Sequence, residues 1–278
     1  MRVYLSVDIE GINGIVHSSQ TQPGEPGYER SVQLMHQETN AVIEGALAAG
    51  AAEVIVNDAH YDMRNLRPEL LHPQAKLISG WQKPYSMVSG VDKQVDVACF
   101  VGYHSRAGTA RGVLSHTYRA QVFYDVKLNG VSVGETGLNA ALAGRFGVPI
   151  ALITGDDVVC AEAAELIGPV ALVPVKTALS RYAALFSPPC ELLETLRTQT
   201  EKALSSRKSW QLFRPANRST LTITFFDPAM ADGAELLPEV QRTGAREVEF
   251  SHEDYAVVFK LMLAVGVIGS SRRDSFFS

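Results

Sequence analysis

Short apolar segments alternate with longer segments of helical periodicity along the chain, and this alternation constrains the fold more than any other feature. The short segments are typical of buried strands, whereas Tyr28–Ala49 repeats apolar residues at helical spacing and is followed by Gly50. Strands that alternate with helices predict βαβ units. The predicted strands are Arg2–Val7, Glu53–Asn57, Asp96–Gly102, Pro149–Thr154 and Ala171–Val175. We therefore expect an α/β fold with a mostly parallel sheet flanked by helices.

A different pattern begins after the Ser-Pro-Pro sequence at residues 187–189, which is typical of a boundary. The elements predicted beyond it are a helix over Glu191–Ser205, a strand over Ser219–Phe226, a short helix near Met230–Leu236, a strand over Arg246–Phe250 and a final helix that starts at Ser251. Before the boundary, Asn129-Gly130 favours a tight hairpin. We expect residues 1–187 to form the α/β domain and residues 188–278 a smaller α+β domain.

Composition excludes several classes of protein. The chain has 278 residues and a formal net charge of −5, and no basic cluster indicates a nucleic-acid surface. Its three cysteines are far apart, so neither a disulfide framework nor a thiolate zinc site is expected. The N-terminus reaches acidic residues before an export sequence could form, and the longest apolar stretch, Tyr255–Gly269, contains Lys260 and is too short to span a membrane. We expect a cytoplasmic protein without membrane or nucleic-acid partners.

Carboxylates and imidazoles gather where predicted strands end. Asp8 and Glu10 follow the first strand, His60 the second, His104 the third, and Glu135 follows the hairpin. Ligands of open parallel sheets bind outside the carboxyl ends of the strands, so these side chains should share one edge. Any one of them alone is more often structural, but their convergence indicates a site.

The mixture of side chains indicates which metal the site takes. Imidazoles together with carboxylates suit zinc, whereas an all-oxygen set would suit magnesium or calcium. Five candidate ligands exceed the needs of one tetrahedral ion, and two ions about 3.5–4 Å apart that share a carboxylate would use them better. Such a pair polarises a carbonyl group and lowers the pKa of water, which predicts a hydrolase.

His116 follows His104 after a flexible loop and does not have to be a ligand. Histidine titrates near neutral pH, so His116 could act as a proton shuttle beside the metal site. The remaining candidates are interpreted as structural: His17, His36, His72 and His252 as ordinary loop or helix residues, and Asp156 and Asp157 as helix caps.

Five short motifs together resemble the zinc D-aminopeptidase family. They occur in order along nearly the whole chain and are densest from residue 1 to about residue 160. The motifs are Ser6–Gly11 (SVDIEG), Val56–His60 (VNDAH), Gly102–His104 (GYH), Ser115-His116 and Val133–Asn139 (VGETGLN).

This resemblance implies a role for each candidate. Asp8 is implied as the ligand that bridges two zinc ions, with Glu10, His60, His104 and Glu135 completing the site, and His116 is implied as the catalytic histidine. The resemblance also implies an α/β domain followed by a smaller α+β domain, small peptide substrates and a homo-oligomer, of which a homodecamer is one form.

The sequence therefore predicts a dinuclear zinc aminopeptidase that removes an N-terminal residue, expected to be a D-amino acid, from short peptides. One alternative is a metal-dependent amidase or hydrolase of another small substrate, including a magnesium phosphatase, although the second acid, Glu10, does not fit the DxD pattern of that class. The pattern is also compatible with a non-catalytic peptide-binding protein and with an inactive relative whose function is assembly.

Overall fold

Within the described residues, the main elements of the fold are twelve strands and six α-helices. The structure is a computed structural model that describes residues 1–207, 210 and 212–271. In chain order these elements are β1 (Arg2–Val7), α1 (Tyr28–Ala48), β2 (Glu53–Asp58), β3 (Ala75–Ile78), β4 (Val97–Tyr103), β5 (Phe123–Leu128), β6 (Val131–Ser132), α2 (Glu135–Arg145), β7 (Ile150–Asp156), α3 (Asp157–Ile167), β8 (Ala171–Ser180), β9 (Ala183–Phe186), α4 (Pro189–Ser205), β10 (Ser219–Phe225), α5 (Pro228–Ala234), β11 (Gln241–Gly244), β12 (Glu247–His252) and α6 (Tyr255–Ser271).

Seven of the strands form one sheet in the order β3-β2-β1-β4-β7-β8-β9. Every neighbouring pair is parallel except β8 with β9. Both faces of the sheet are covered: Val3, Leu5 and Val7 pack into the core with α1 and α4, whereas Tyr4 packs into the core on the other face with α2. Burial on both faces explains why these strands are continuous apolar runs. The predicted α/β fold with a mostly parallel sheet is confirmed.

The other five strands form a smaller sheet, in the order β11-β12-β10-β5-β6, whose pairs are all antiparallel. Helix α6 covers it and buries Tyr255, Phe259, Met262 and Val265. Within the described residues, no helix combines the length and the apolar character needed to cross a membrane.

Elements cross the predicted domain boundary at residues 187/188 in both directions. The β5–β6 hairpin precedes the boundary but belongs to the smaller sheet, and α4 follows it but packs against α1. The division into residues 1–187 and 188–278 therefore stays a prediction, and its last residues, 272–278, lie outside the described part of the chain.

The start of the final helix was predicted wrongly. The chain remains in β12 as far as His252, because Ser251 and His252 pair with Thr220 and Ser219 of β10. Helix α6 begins at Tyr255, and the Asp254 carboxylate accepts a hydrogen bond from the Ala256 amide at 3.0 Å, as a cap would. Three short edge strands, β3, β9 and β11, were not predicted.

Candidate metal centre

All six candidate residues meet at the carboxyl end of the parallel sheet. The structure places Asp8 directly after β1, His60 after β2, His104 after β4 and Glu135 at the first position of α2, while Glu10 lies in the turn after Asp8 and His116 in the loop before β5. The five proposed ligands are at most 6% exposed, and His116 is half-buried at the cavity wall. The convergence predicted from the strand ends is therefore observed.

Two glycines allow the ends of β1 and β4 to approach each other closely. Gly102 has a φ of +69°, and a Cβ atom there would lie 2.3 Å from the carbonyl oxygen of Asp8. A Cβ on Gly11 would lie 2.0 Å from the carbonyl oxygen of Tyr103. The pairing of β4 with β7 also shifts register next to Gly102, an irregularity that re-aims side chains beside a site. The result is that His104 faces Asp8.

Asp8 lies between two histidines. Its Oδ1 atom is 3.2 Å from His60 Nδ1, and its Oδ2 atom is 3.5 Å from His104 Nε2. His60 Nδ1 also lies 3.0 Å from Glu10 Oε2, and His104 Nε2 lies 3.3 Å from Glu135 Oε2. Each oxygen of Asp8 thus faces a different histidine, and each of these histidines also faces a second carboxylate, that of Glu10 or Glu135.

His116 lies against the second half of this cluster. Its ring stacks on that of His104 with 4.0 Å between centroids and 12° between planes. Its Nε2 atom is 3.7 Å from Glu135 Oε1, which also accepts a hydrogen bond from the Tyr118 amide at 2.6 Å. His116 is thus held beside the cluster with one ring nitrogen facing it.

The second nitrogen of each histidine ring contacts a main-chain carbonyl. The three contacts are His60 Nε2 to Thr21 O (2.7 Å), His104 Nδ1 to Ser105 O (3.0 Å) and His116 Nδ1 to Leu114 O (2.8 Å). Carbonyl oxygens only accept hydrogen bonds, so these nitrogens carry the hydrogen in the neutral ring. The nitrogens that face the carboxylates then carry lone pairs, which is how histidines are oriented at metal sites.

Several atoms of the cluster are buried without a hydrogen-bond partner. They are Asp8 Oδ2, Glu10 Oε2 and His104 Nε2. Lone pairs that face one another in a buried space repel unless a cation lies between them. The nitrogen and oxygen donors suit zinc. The residues present therefore fit a divalent metal centre.

The pKa values of the cluster also indicate a site for a metal ion. Burial, together with the neighbouring Glu10 carboxylate, raises the pKa of Asp8 to about 7. Burial opposes protonation of His104, but the facing Glu135 carboxylate raises its pKa to about 10. Burial and the adjacent His104 lower the pKa of His116. Without a metal ion, protons would have to neutralise the buried carboxylates, and a bound cation removes that need.

A hydrogen-bonded network below the cluster joins β1, β4, α2 and the loop before β5. Ser6 Oγ on β1 and Tyr103 Oη on β4 are 2.7 Å apart, and the Asn139 side chain on α2 donates to Tyr103 Oη at 3.0 Å. Tyr118 Oη donates to Asn139 Oδ1 at 2.6 Å. Asn139 lies one turn after Glu135, so the network fixes that carboxylate relative to the strands. The motif that contains Asn139 was noticed in the sequence, but Tyr118 was missed.

Lys176 on β8 was missed entirely. Its side chain is buried, and its Nζ atom donates to the carbonyl oxygens of Glu10, Ile12 and Ile15 at 2.6, 2.8 and 2.7 Å. Burial lowers the pKa of Lys176 to about 8. The only sequence signal was a lysine directly after the predicted strand Ala171–Val175. Lys176 holds the loop that presents Glu10.

Replacing Lys176 with methionine is expected to lower the free energy of unfolding by about 2–4 kcal/mol, because three buried carbonyl groups lose their donor. Metal affinity should fall about 10- to 100-fold, since the loop that carries Glu10 is released. Urea unfolding and metal titration measure the two effects. Lys76→Met is the matched control, because the Lys76 side chain is exposed on β3. Unchanged metal affinity in Lys176→Met would contradict this role.

The other candidates lie outside the cluster. The Asp156 carboxylate accepts from the Val159 amide at 2.8 Å and caps α3, as predicted. Asp157 was also predicted as a cap, but its carboxylate accepts the Ala178 amide of β8 at 2.7 Å instead. His36 lies within α1, as predicted, and bonds to Val32 O. Asp58, next to His60 in the sequence, accepts the amide of Leu66 at 2.7 Å and shapes the loop after β2.

A cavity of about 1080 Å³ opens onto the cluster. Asp8, Glu10, His60, His116 and Glu135 form part of its wall. This volume matches the upper end of the range for small-molecule sites. A substrate in the cavity would therefore reach both the metal centre and His116.

A parallel α/β sheet whose strand ends bring carboxylates and imidazoles together at the wall of a cavity is typical of metal-dependent hydrolases. The sequence profile of the D-aminopeptidase family matches residues 1–264. A D-aminopeptidase from Bacillus subtilis is 39% identical over 268 residues, which cover 95% of this chain and 96% of that protein. The chain belongs to the D-aminopeptidase family.

A solved structure agrees with this assignment. The Zn-dependent D-aminopeptidase DppA from Bacillus subtilis, a self-compartmentalizing protease, matches this structure with a TM-score of 0.94 and 38% sequence identity. The match covers 99% of both chains, so it includes both sheets. The resemblance predicted from the sequence motifs is confirmed.

Proposed function

We propose that this protein is a zinc-dependent aminopeptidase that holds two metal ions per subunit and removes an N-terminal D-amino acid from short peptides. The observation that carries the proposal is the set of buried, unpartnered atoms Asp8 Oδ2, Glu10 Oε2 and His104 Nε2. Asp8 and Glu10 also line the cavity, and His104 lies directly behind them. Membership of the D-aminopeptidase family supports the reaction and the stereochemistry.

The arrangement around Asp8 supports two metal positions. One group of donors is centred on His60 Nδ1, which lies within 3.2 Å of Asp8 Oδ1 and Glu10 Oε2, and the other on His104 Nε2, which lies within 3.5 Å of Asp8 Oδ2 and Glu135 Oε2. His116 lies close enough to His104 and Glu135 to be a further candidate ligand. Asp8 is the residue shared by both groups, which suits the bridging role that the sequence predicted. The nitrogen and oxygen donors in each group are those that zinc prefers.

Metal ions held by Asp8, Glu10, His60, His104 and Glu135 would supply Lewis acidity, which would polarise the scissile carbonyl and make water a better nucleophile near neutral pH. His116 supplies proton transfer: its Nδ1–H group is held by Leu114 O, so its Nε2 lone pair is available on the cluster side. It accepts a proton from the attacking water and delivers it to the leaving amine. The buried network through Asn139 holds Glu135 in place, and Glu135 in turn lies 3.7 Å from the Nε2 atom of His116.

The protein is proposed to act as a homo-oligomer, of which a homodecamer is one form. Four apolar side chains around the β8–β9 hairpin are 42–66% exposed, which suits an interface between subunits. They are Leu179, Tyr182, Leu185 and Phe186. An enclosed assembly would admit only small peptides.

The free cysteines Cys99, Cys160 and Cys190 agree with the reduced environment of the cytoplasm, where we place the protein.

The test is hydrolysis of paired D-Ala and L-Ala p-nitroanilides by zinc-loaded and by chelated protein. We expect turnover of the D-substrate that is lost on chelation and restored by zinc, together with about two zinc ions per subunit by elemental analysis. Turnover of the L-substrate alone would exclude the D-preference, and turnover of other amides only would favour a different small substrate. Tight peptide binding without turnover would favour a peptide-binding protein.

A further inference from the structure

Beyond the metal cluster, the charged side chains that line the cavity are mainly basic. The one further acid among the described lining residues is Asp62, and it forms an ion pair with Arg64. The basic lining residues are Lys83, Arg119, Arg181 and Lys260. Their contacts within the described chain are to neutral groups and aromatic rings. The cavity therefore has an acidic, metal-binding end and a basic wall.

Three of these basic side chains have other roles or lie in solvent. Lys83 donates to Asn57 Oδ1 at 2.6 Å, and Arg181 donates to Ser115 Oγ at 2.8 Å. Lys260 is exposed on α6. Arg119 remains, and it lies at the cavity wall.

The guanidinium group of Arg119 lies over an aromatic ring but has no hydrogen-bond acceptor among the described residues. Its central carbon lies 5.8 Å from the centroid of the Trp81 ring, and within the described part of the chain no oxygen accepts a hydrogen bond from it. Its aliphatic part passes α6 so closely that a Cβ atom on Gly266 would be 3.3 Å from Arg119 Cγ. Partial burial lowers the pKa of Arg119, as expected for a cation without a counter-ion.

The main chain fixes Arg119 relative to the metal centre. The preceding residue, Tyr118, donates its amide to Glu135 Oε1 at 2.6 Å, and His116 is three residues away. The Arg119 side chain therefore begins at the cluster and runs along the cavity wall to Trp81. A group bound there lies at a defined distance from the reacting carbonyl.

We propose that Arg119 binds the C-terminal carboxylate of the peptide substrate, so that the protein selects short peptides with a free C-terminus. A guanidinium group matches a carboxylate through two parallel hydrogen bonds. With the N-terminal peptide bond at the metal centre, this contact fixes the direction in which the peptide lies. The inference rests on the proposed aminopeptidase function and identifies the substrate class within it.

The test compares free-acid and C-terminally amidated forms of D-Ala-Phe and D-Ala-Gly-Phe. For the better of the two lengths, the zinc-loaded wild type should show a KM about 10- to 100-fold lower for the free acid than for the amide. Arg119→Met should remove this difference by raising KM for the free acid, and Arg119→Lys should restore part of it. Hydrolysis of D-Ala p-nitroanilide, which has no carboxylate, should be nearly unchanged.

Arg246→Met is the matched control, because Arg246 also lies over an aromatic ring, 5.6 Å from the centroid of Tyr124, but outside the cavity lining. It should retain the acid-over-amide preference. A wild type without that preference would overturn the proposal. So would an Arg119→Met variant that loses acid, amide and p-nitroanilide hydrolysis equally, since that pattern indicates a structural role.

Calorimetry separates this inference from the proposed function. The zinc-loaded His116→Ala variant should bind the free-acid peptide more tightly than the amide, and the double variant with Arg119→Met should bind both alike. If no substrate is turned over but this binding preference is found, the aminopeptidase function fails and the carboxylate site stands. If peptides are turned over but the preference is absent, the carboxylate site fails.

Discussion

Asp8→Asn is expected to lower kcat/KM by at least about 1,000-fold and to remove most of the bound metal. The two oxygens of Asp8 face His60 and His104, the two histidines proposed as ligands, so the loss of Asp8 affects both groups of donors. Asparagine keeps the size of the side chain and one oxygen but removes the charge. Steady-state kinetics with D-Ala p-nitroanilide and elemental analysis of the purified variant measure both effects.

Asp157→Asn is the matched control for this substitution. Asp157 follows β7 at the same edge of the sheet, and its carboxylate accepts the Ala178 amide at 2.7 Å instead of facing the cluster. Asparagine can keep that hydrogen bond, so metal content and activity should be retained. An Asp8→Asn variant with a full complement of metal and normal activity would contradict the role of Asp8.

His116→Ala is expected to lower kcat by about 100- to 10,000-fold while metal content stays at the wild-type level. The ring stacks on His104, and its Nε2 atom is 3.7 Å from Glu135 Oε1, farther than the corresponding contacts of His60 and His104. Because His104 and Glu135 lie close enough to His116 to share a metal ion with it, the metal content of this variant distinguishes proton transfer from metal binding. Added imidazole should restore part of the rate, because alanine leaves space for it beside His104.

His17→Ala serves as the comparison for His116→Ala. His17 caps a short turn through the Ser19 amide and lies outside the cluster, so its loss should leave kcat unchanged. Loss of metal together with activity in His116→Ala would instead identify His116 as a ligand. Full activity in that variant would remove it from the mechanism.

The convergence of the candidate residues was predictable because it depends on topology alone. β1, β2 and β4 are continuous apolar runs, and the carboxyl ends of parallel strands meet at one edge. Asp8, His60 and His104 therefore had to lie near one another once the sheet was recognised. Their roles as ligands remain predictions that the variants above will test.

Other features depended on long-range contacts that leave little trace in the sequence. Lys176 contacts the Glu10 loop, which is more than 160 residues away in the sequence. Arg119 is distinguished by the lack of a hydrogen-bond acceptor for its guanidinium group within the described residues. The edge strands β3, β9 and β11 have only four residues each and few buried side chains, so their periodicity is weak. The start of α6 was misjudged because Ser251 resembles a cap although its main chain is still paired in β12.

The main-chain contacts of the three histidines have a consequence for how this centre can diverge. Histidine ligands are commonly oriented by carboxylate side chains, which a single mutation can remove. Here the orienting atoms are the carbonyl oxygens of Thr21, Ser105 and Leu114, which every amino acid possesses. The contacts themselves do not depend on the side chains at these three positions, so a substitution that the buried surroundings accept leaves the imidazoles in their orientation. Transplanting the centre into another scaffold would accordingly require copying the three loop conformations that place these carbonyl oxygens beside the histidines.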